Sequence, residues 1–270
     1  MPARCGALLG FMASALGFAQ SHVSVTDKSG NPVLELPQSA FHVLVDGVEQ
    51  PIRSFQPHEV PISMGLVIDN GARMRDKRPA LRRAALAVVD SSNSADEMFI
   101  IGYNDMPYLD QPFTNDPQKL RKGLDKTETR GWSLMRDALS LAIDQAQKLA
   151  KNPTRVLFLI NASDDDSSTI KLDALLQKAR VSGVAIYPIG LLNGEDPSEK
   201  KSAQHALNQL AQATGGIASY PKDASQTDDV ILKFVRQIRH EYLIGFAPAP
   251  GHVTVRVDLP DLTVRVVSLN

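Results

Sequence analysis

Cysteine is almost missing from this 270-residue chain: only Cys5 is present, so no intrachain disulfide and no thiolate cluster can form. Neither sign of charge dominates, since 29 Lys and Arg stand against 30 Asp and Glu for a net charge of −1. Without a basic excess there is no electrostatic footprint for generic phosphate-backbone binding, which argues against nucleic acid as a partner. Familiar catalytic signatures are missing too. No G-x-G-x-x-G follows a strand pattern, and there is no Walker loop, nucleophile elbow or H-E-x-x-H. The six histidines, at 22, 42, 58, 205, 240 and 252, are scattered without metal-ligand spacing. Long apolar runs are absent as well: the longest, Gly6 to Phe18, falls short of the roughly 20 residues that a spanning helix needs.

That run has its own meaning. It follows Arg4, contains no acid and ends in the small residues Gly17 and Ala19, which is the pattern of a signal peptide over residues 1–19. Cleavage after Ala19 would give an exported chain, periplasmic or secreted, with no stable membrane insertion; an uncleaved anchor is the alternative. Cys5 precedes the apolar run instead of following it, so nothing supports lipid attachment.

Beyond residue 20 the pattern has three zones. Residues 20–59 alternate apolar and polar in SHVSVTD and FHVLVDGVEQPI, with turn signals at Ser29-Gly30-Asn31-Pro32 and a two-residue hairpin signal at Asp46-Gly47. Residues 60–240 switch to buried strands alternating with helical spacing. ISMGLVID, EMFIIGYN, RVLFLIN and VAIYPIG read as strands, a short pair falls around Tyr108 and Phe113, and a short strand near Ile217 to Tyr220. Helices are expected over RDKRPALRRAALAVVDSS and at 116–125, 134–150, 168–182, 198–213 and 226–239. This order predicts an α/β fold, a doubly wound and mostly parallel sheet. Residues 241–270 return to alternating strands that pair with the first zone, giving a small antiparallel β unit built from both flanks. In such a sheet ligands gather at the carboxyl ends of the strands, here after Asp69 and Asn161.

The segments MGLVIDNGARMRDKRPALRRAA, RGWSLMRDAL, RVLFLINASDDDSS and VAIYPIG, in that order, resemble a von Willebrand factor type A (VWA) domain. With the flanks VTDKSGNPV, FHVLVDGVEQPIRSF and IRHEYLIGFAP they are similar to the VWFA-related group common in Acidobacteria. The resemblance implies a Rossmann-like fold and a non-enzymatic, adhesion-type module that binds a protein ligand. It also implies a metal-ion-dependent adhesion site: Asp-x-Ser-x-Ser after the first strand, a Thr from a second loop and an Asp after the fourth strand. Hard oxygen ligands there hold Mg²⁺ or a similar ion and leave one position for a carboxylate of the partner.

Set against that pattern, the site of this chain is degenerate. Asp69 matches the first Asp, but the serine positions fall on Gly71 and Arg73; Ser133 takes the Thr position, and Ala162 that of the late Asp. A guanidinium ~4 Å from a divalent ion would repel it by about 8 kcal/mol at an effective dielectric near 20. We therefore expect no bound metal, with Arg73 folded over Asp69 as an internal counter-ion; the other reading of Arg73 is that it points to solvent. The alternative is a Mg²⁺ or Ca²⁺ site made by Asp69, Ser133 and the run Asp164, Asp165, Asp166, although acids before a helix more commonly serve as caps. The candidate partner-binding rim is Asp69, Asn70, Arg73, Trp132, Ser133, Ser163, Asp164 and Asp165. Trp132, the sole tryptophan, is either an exposed contact or packed under its own loop. The cluster Arg75, Lys77, Arg78, Arg82 and Arg83 on the first helix reads as a solvated face paired with neighbouring acids, with an acidic partner as the other possibility.

Overall fold

The computed structural model describes residues 19–125, 129–165 and 167–269. The expected signal segment, apart from Ala19, and Asp166 lie outside these residues. The N-terminal flank supplies strands β1 (Ala19–Thr26), β2 (Phe41–Val45), β3 (Val48–Gln50) and β4 (Ile52–Glu59). The hairpin signal at Asp46-Gly47 is realised between β2 and β3, with both residues at positive φ (48° and 82°), the requirement of a type I′ turn.

The chain then enters a layered α/β unit of β5 (Ile62–Asp69), α1 (Arg78–Ser91), β6 (Glu97–Tyr103), β7 (Pro107–Thr114), α2 (Pro117–Asp125), α3 (Met135–Leu149), β8 (Thr154–Asn161), α4 (Leu172–Arg180), β9 (Ala185–Gly190), α5 (Pro197–Thr214) and α6 (Thr227–Arg239). Its sheet has the order β7-β6-β5-β8-β9. Only β7 runs antiparallel, against β6. All eight residues of β5 are buried, as expected for a central strand covered on both faces.

One face is covered by α1, α2 and α6. Leu81, Ala84, Ala85 and Val88 of α1 meet Ile231, Phe234, Val235 and Ile238 of α6 over Met64, Leu66 and Phe158. The other face carries α3, α4 and α5. Helical spacing in the sequence therefore marks true amphipathic helices.

Three local expectations need correction. The pair around Tyr108 and Phe113 is one continuous edge strand, β7, whose register against β6 shifts at two points. The helix expected from 168 starts only at Leu172, because Ser168 and Thr169 are engaged by α3 (below). The strand near Ile217 to Tyr220 is reduced to a single bridge, Ile189↔Ser219.

The C-terminal strands β10 (His240–Phe246), β11 (Val253–Val257) and β12 (Thr263–Leu269) join the N-terminal ones in two antiparallel sheets, β12-β1-β10-β4 and β11-β2-β3. Between them lies a separate core with Val23, Val25, Phe41, Val43, Tyr242, Ile244 and Phe246. The α/β unit leaves and re-enters this β unit at one place, since Glu59 at the end of β4 pairs with His240 at the start of β10. Arg239 donates there to the buried carboxylate of Asp96 at 2.6 Å, tying the end of α6 to the amino edge of the sheet.

Candidate functional site

β5 and β8 lie side by side, with Ile68 opposite Ile160, so Asp69 and Ala162 emerge together at the carboxyl edge. The loop before α3 brings Ser133 against them. Asp69 is 1% exposed. One carboxylate oxygen accepts from the Gly71 N–H (2.7 Å); the other accepts from the Ser133 Oγ–H (3.0 Å) and the Ala162 N–H (3.1 Å). Burial pushes its pKa from an ordinary 3.8 up to about 6, against the pull of those hydrogen bonds and of the Lys77 charge.

Arg73 does not fold over Asp69 as expected. It stands on a 3-10 turn, Ala72–Met74, and its guanidinium reaches away from the sheet to Glu195 and to Glu199 (2.6 Å for the latter). The reason is a balance of partners. Asp69 is already satisfied by three donors, whereas Glu195 has a side chain only 8% exposed and needs a cation.

The charge that does act on Asp69 comes from Lys77. Lys77 is half-buried and donates to the Leu191 carbonyl at 2.5 Å; burial lowers its pKa, opposed by Glu195 and Asp69. Its neighbours in the basic cluster behave as expected, Arg82 pairing with Asp125 of α2 and Arg83 with Asp228 of α6.

Gly71 is required by its surroundings. A Cβ at this position would meet the Trp132 carbonyl oxygen at 2.9 Å and Asp69 Oδ1 at 3.0 Å, so the loop before α3 closes onto a position that has no side chain. That loop is itself held by Asp105, which accepts from the Trp132 N–H at 2.8 Å. Gly131 has φ 68°, and a Cβ there would strike the same carboxylate at 2.2 Å. Below the rim, the Tyr103 hydroxyl donates to Asn161 Oδ1 at 3.1 Å, and burial raises its pKa well above 10.

The acidic run has a different task from the one its position suggests. Asp165 is 6% exposed and accepts from the Arg136 N–H (2.7 Å) and from the Ser168 N–H and Oγ–H (3.0 and 2.7 Å). In return Asp137 accepts from the Thr169 and Ile170 N–H groups at 3.0 Å each. Asp165 therefore caps α3, which comes earlier in the chain, instead of the helix that follows it. Asp164 is half-buried and accepts from the Asp165 N–H at 2.9 Å. Among the described residues no three His, Cys, Asp or Glu side chains converge in a way that could hold a metal ion.

Of the expected rim, Asp69, Asn70, Ser133, Ser163 and Asp165 are thus buried, while Arg73 and Trp132 are exposed. Trp132 is 71% exposed, and Met106 on the adjacent β6–β7 turn is 62% exposed. Gly71, Arg73, Trp132, Ser133, Ser163, Asp164 and Glu199 contribute to a hollow of about 460 Å³. The sequence reading put Lys77 on a solvated face, whereas it is half-buried against the Leu191 carbonyl, and it did not single out Glu195 or Glu199; no spacing rule brings residue 195 to residue 73.

Residues 64–164 match the family model described as von Willebrand factor type A domain. No curated protein matches the chain. Among solved structures, a von Willebrand factor type A protein from Catenulispora acidiphila aligns with a TM-score of 0.57 at 11% identity, over 88% of this chain and 75% of that one. An aerotolerance-related membrane protein from Bacteroides fragilis aligns at 0.51 and 13%, over 65% of this chain and 99% of that one. A proximal thread matrix protein from the mussel byssus, solved with a zinc-occupied MIDAS motif, aligns at 0.55 and 13%, over 74% and 50%. At these identities the likeness is one of fold.

Proposed function

We propose, from the match of residues 64–164 to the von Willebrand factor type A model, that this chain is an exported, non-enzymatic protein-binding module of adhesion type that works from its rim without a metal ion. The observation that carries the reading is the state of Asp69. Gly71, Ser133 and Ala162 donate three hydrogen bonds to its carboxylate, so the chain's own donors hold it in place. The residues present do not fit the metal of the family. Gly71 and Ala162 offer no oxygen from a side chain, and Arg73 brings a positive charge held in place by Glu195 and Glu199.

What remains for a partner is the exposed surface of the rim. Trp132 and Met106 stand on adjacent loops, and each loop is fixed: Trp132 by Asp105, and the β6–β7 turn by the Leu134 N–H donating to the Asn104 carbonyl. A rigid exposed aromatic beside a flexible apolar side chain is the composition of a binding hot spot. Export rests on the pattern of residues 1–19. Among the described residues no helix is long and apolar enough to cross a membrane. The alternative, a Mg²⁺ or Ca²⁺ site through Asp69, Ser133 and the acidic run, is weakened because Asp165 is consumed by Arg136 and Ser168.

Calorimetric titration of Mg²⁺, Mn²⁺ and Ca²⁺ into the purified chain tests the metal-free reading: no saturable heat is expected, and binding that disappears in Asp69→Asn would refute it. Rim use is tested separately by a photo-crosslinking residue at position 132, with position 181, 82% exposed, as the control. A protein adduct at 132 alone supports the reading, and equal patterns at both positions reject it.

A further inference from the structure

The hollow at the rim carries an imbalance of charge. Arg136 beside it is answered by Asp165 at 3.4 Å. Even with Asp69 left out, Arg73 and Lys77 then stand against three carboxylates, Asp164, Glu195 and Glu199. Arg73 lines the hollow but already holds two of them, Glu195 and Glu199. Asp164, also on the lining, accepts only the Asp165 N–H among the described residues and has no cation of its own. Ser163 lines the same hollow and is 7% exposed. Its hydroxyl makes no hydrogen bond with any described residue, yet the oxygen is not shut off from solvent.

A polar side chain buried to that degree normally has a partner, so Ser163 points to a ligand that can reach it. Trp132 adds an independent preference. It contributes to the hollow and is 71% exposed, and among the described residues the cation–π contact is that of Arg265 on Tyr187, so no cation of the chain covers the indole. An open aromatic face attracts a cation, and an arginine more often than a lysine. Unanswered carboxylate, unused hydroxyl and bare indole therefore favour the same group. A guanidinium is planar, stacks on an aromatic ring and carries five N–H donors in a fork that matches carboxylates. A carboxylate from the partner, which a metal at this place would attract, meets an excess of like charge instead.

We propose that the hollow receives an arginine side chain of the protein partner, its charge answered by Asp164 and Glu199, its N–H groups within reach of the Ser163 hydroxyl and its plane against the Trp132 indole. The polarity of recognition is then the reverse of that at a metal-bearing rim. This inference rests on the rim being the binding surface and adds the chemistry of what binds there.

Because Trp132 is the sole tryptophan, its indole N–H gives one NMR signal that reports from the site. The full chain is titrated with three blocked tripeptides, glycine on either side of arginine, of citrulline (the same shape without the charge) or of glutamate. The arginine peptide is expected to shift the signal saturably, and less strongly as salt is added. The citrulline and glutamate peptides should bind at least about tenfold more weakly, as should the arginine peptide to Asp164→Asn, a change that keeps the acceptor for the Asp165 N–H. Should that variant fail to fold, the three peptides on the natural chain still decide. No saturable shift with the arginine peptide, or equal binding of citrulline, would overturn the proposal; tighter binding of glutamate would overturn it in favour of an acidic partner held by Arg73. If the crosslinker at position 132 captures a protein while the peptides fail in this way, the inference falls and the rim reading stands; if neither gives a signal, both fall.

Discussion

Asp69 gives the sharpest test of the rim as described. Its pKa in the folded chain is raised from 3.8 to about 6 because its burial outweighs three hydrogen bonds and the Lys77 charge. A raised value means that the folded state holds the proton more tightly than the unfolded state. The stabilisation is therefore fully present below about pH 4 and is lost as pH rises through about 6. A shift of about two pH units corresponds to about 3 kcal/mol. The perturbation is Asp69→Asn, which removes the titration. The asparagine keeps one acceptor for Gly71 or Ala162 but turns an NH₂ toward the other donor, at a pH-independent cost of about 1–3 kcal/mol. The informative quantity is thus the change with pH. Urea unfolding of both chains at pH 3.5, 5, 6 and 7.5 should show the natural chain losing about 3 kcal/mol relative to the variant across that range. Contributions of the other carboxylates cancel in the comparison. A difference that stays constant with pH, or a carboxyl ¹³C titration of Asp69 with a midpoint below 4, would refute the reasoning.

Three further outcomes follow from the same geometry. Arg73→Ala leaves Glu195 without its cation, but Arg73 itself is half exposed; we expect a loss of about 1 kcal/mol or less, with faster amide exchange confined to residues 191–199. Trp132→Ala should change stability by no more than about 0.5 kcal/mol. In the natural chain the exposed indole should be fully quenched by acrylamide and report unfolding poorly, so a large red shift in urea would contradict the exposure seen here. Asp165→Ala removes the cap of α3 and the partner of Ser168 and Arg136, and should cost about 2–3 kcal/mol by chemical denaturation; a loss below 0.5 kcal/mol would show that the cap is dispensable.

Much of the fold is legible from the residues. Fully apolar runs such as ISMGLVID can only be central strands between two layers of helices, and the spacing of Leu81, Ala84, Ala85 and Val88 marks one buried helical face. The Asp46-Gly47 turn is equally readable because few residues adopt its backbone. The site is less legible. That Asp69 ends a central strand follows from pattern, and its three donors, Gly71, Ser133 and Ala162, stand at positions that the family resemblance sets beside it; that two of them act through backbone N–H groups is not written in residue type. Arg73 illustrates the limit: the acid expected for it, Asp69, lies four residues back, but the acid that most needs a cation is Glu195, 122 residues later. The acidic run likewise looks like the cap of the next helix, whereas tertiary packing assigns Asp165 to α3.

The direct passage of α6 into β10 has a mechanical consequence. The helix ends at Arg239 and the strand begins at His240, so there is no slack between them. β10 is held along both sides, by β1 and by β4. A piston stroke of α6 along its own axis would have to shear two hydrogen-bonded ladders together. A slip of a single residue would turn Tyr242, Ile244 and Phe246 out of their core. The load path from the helix ends in a stiff abutment, and the helix layer that carries α1, α2 and α6 is braced against sliding by strands drawn from both flanks of the chain.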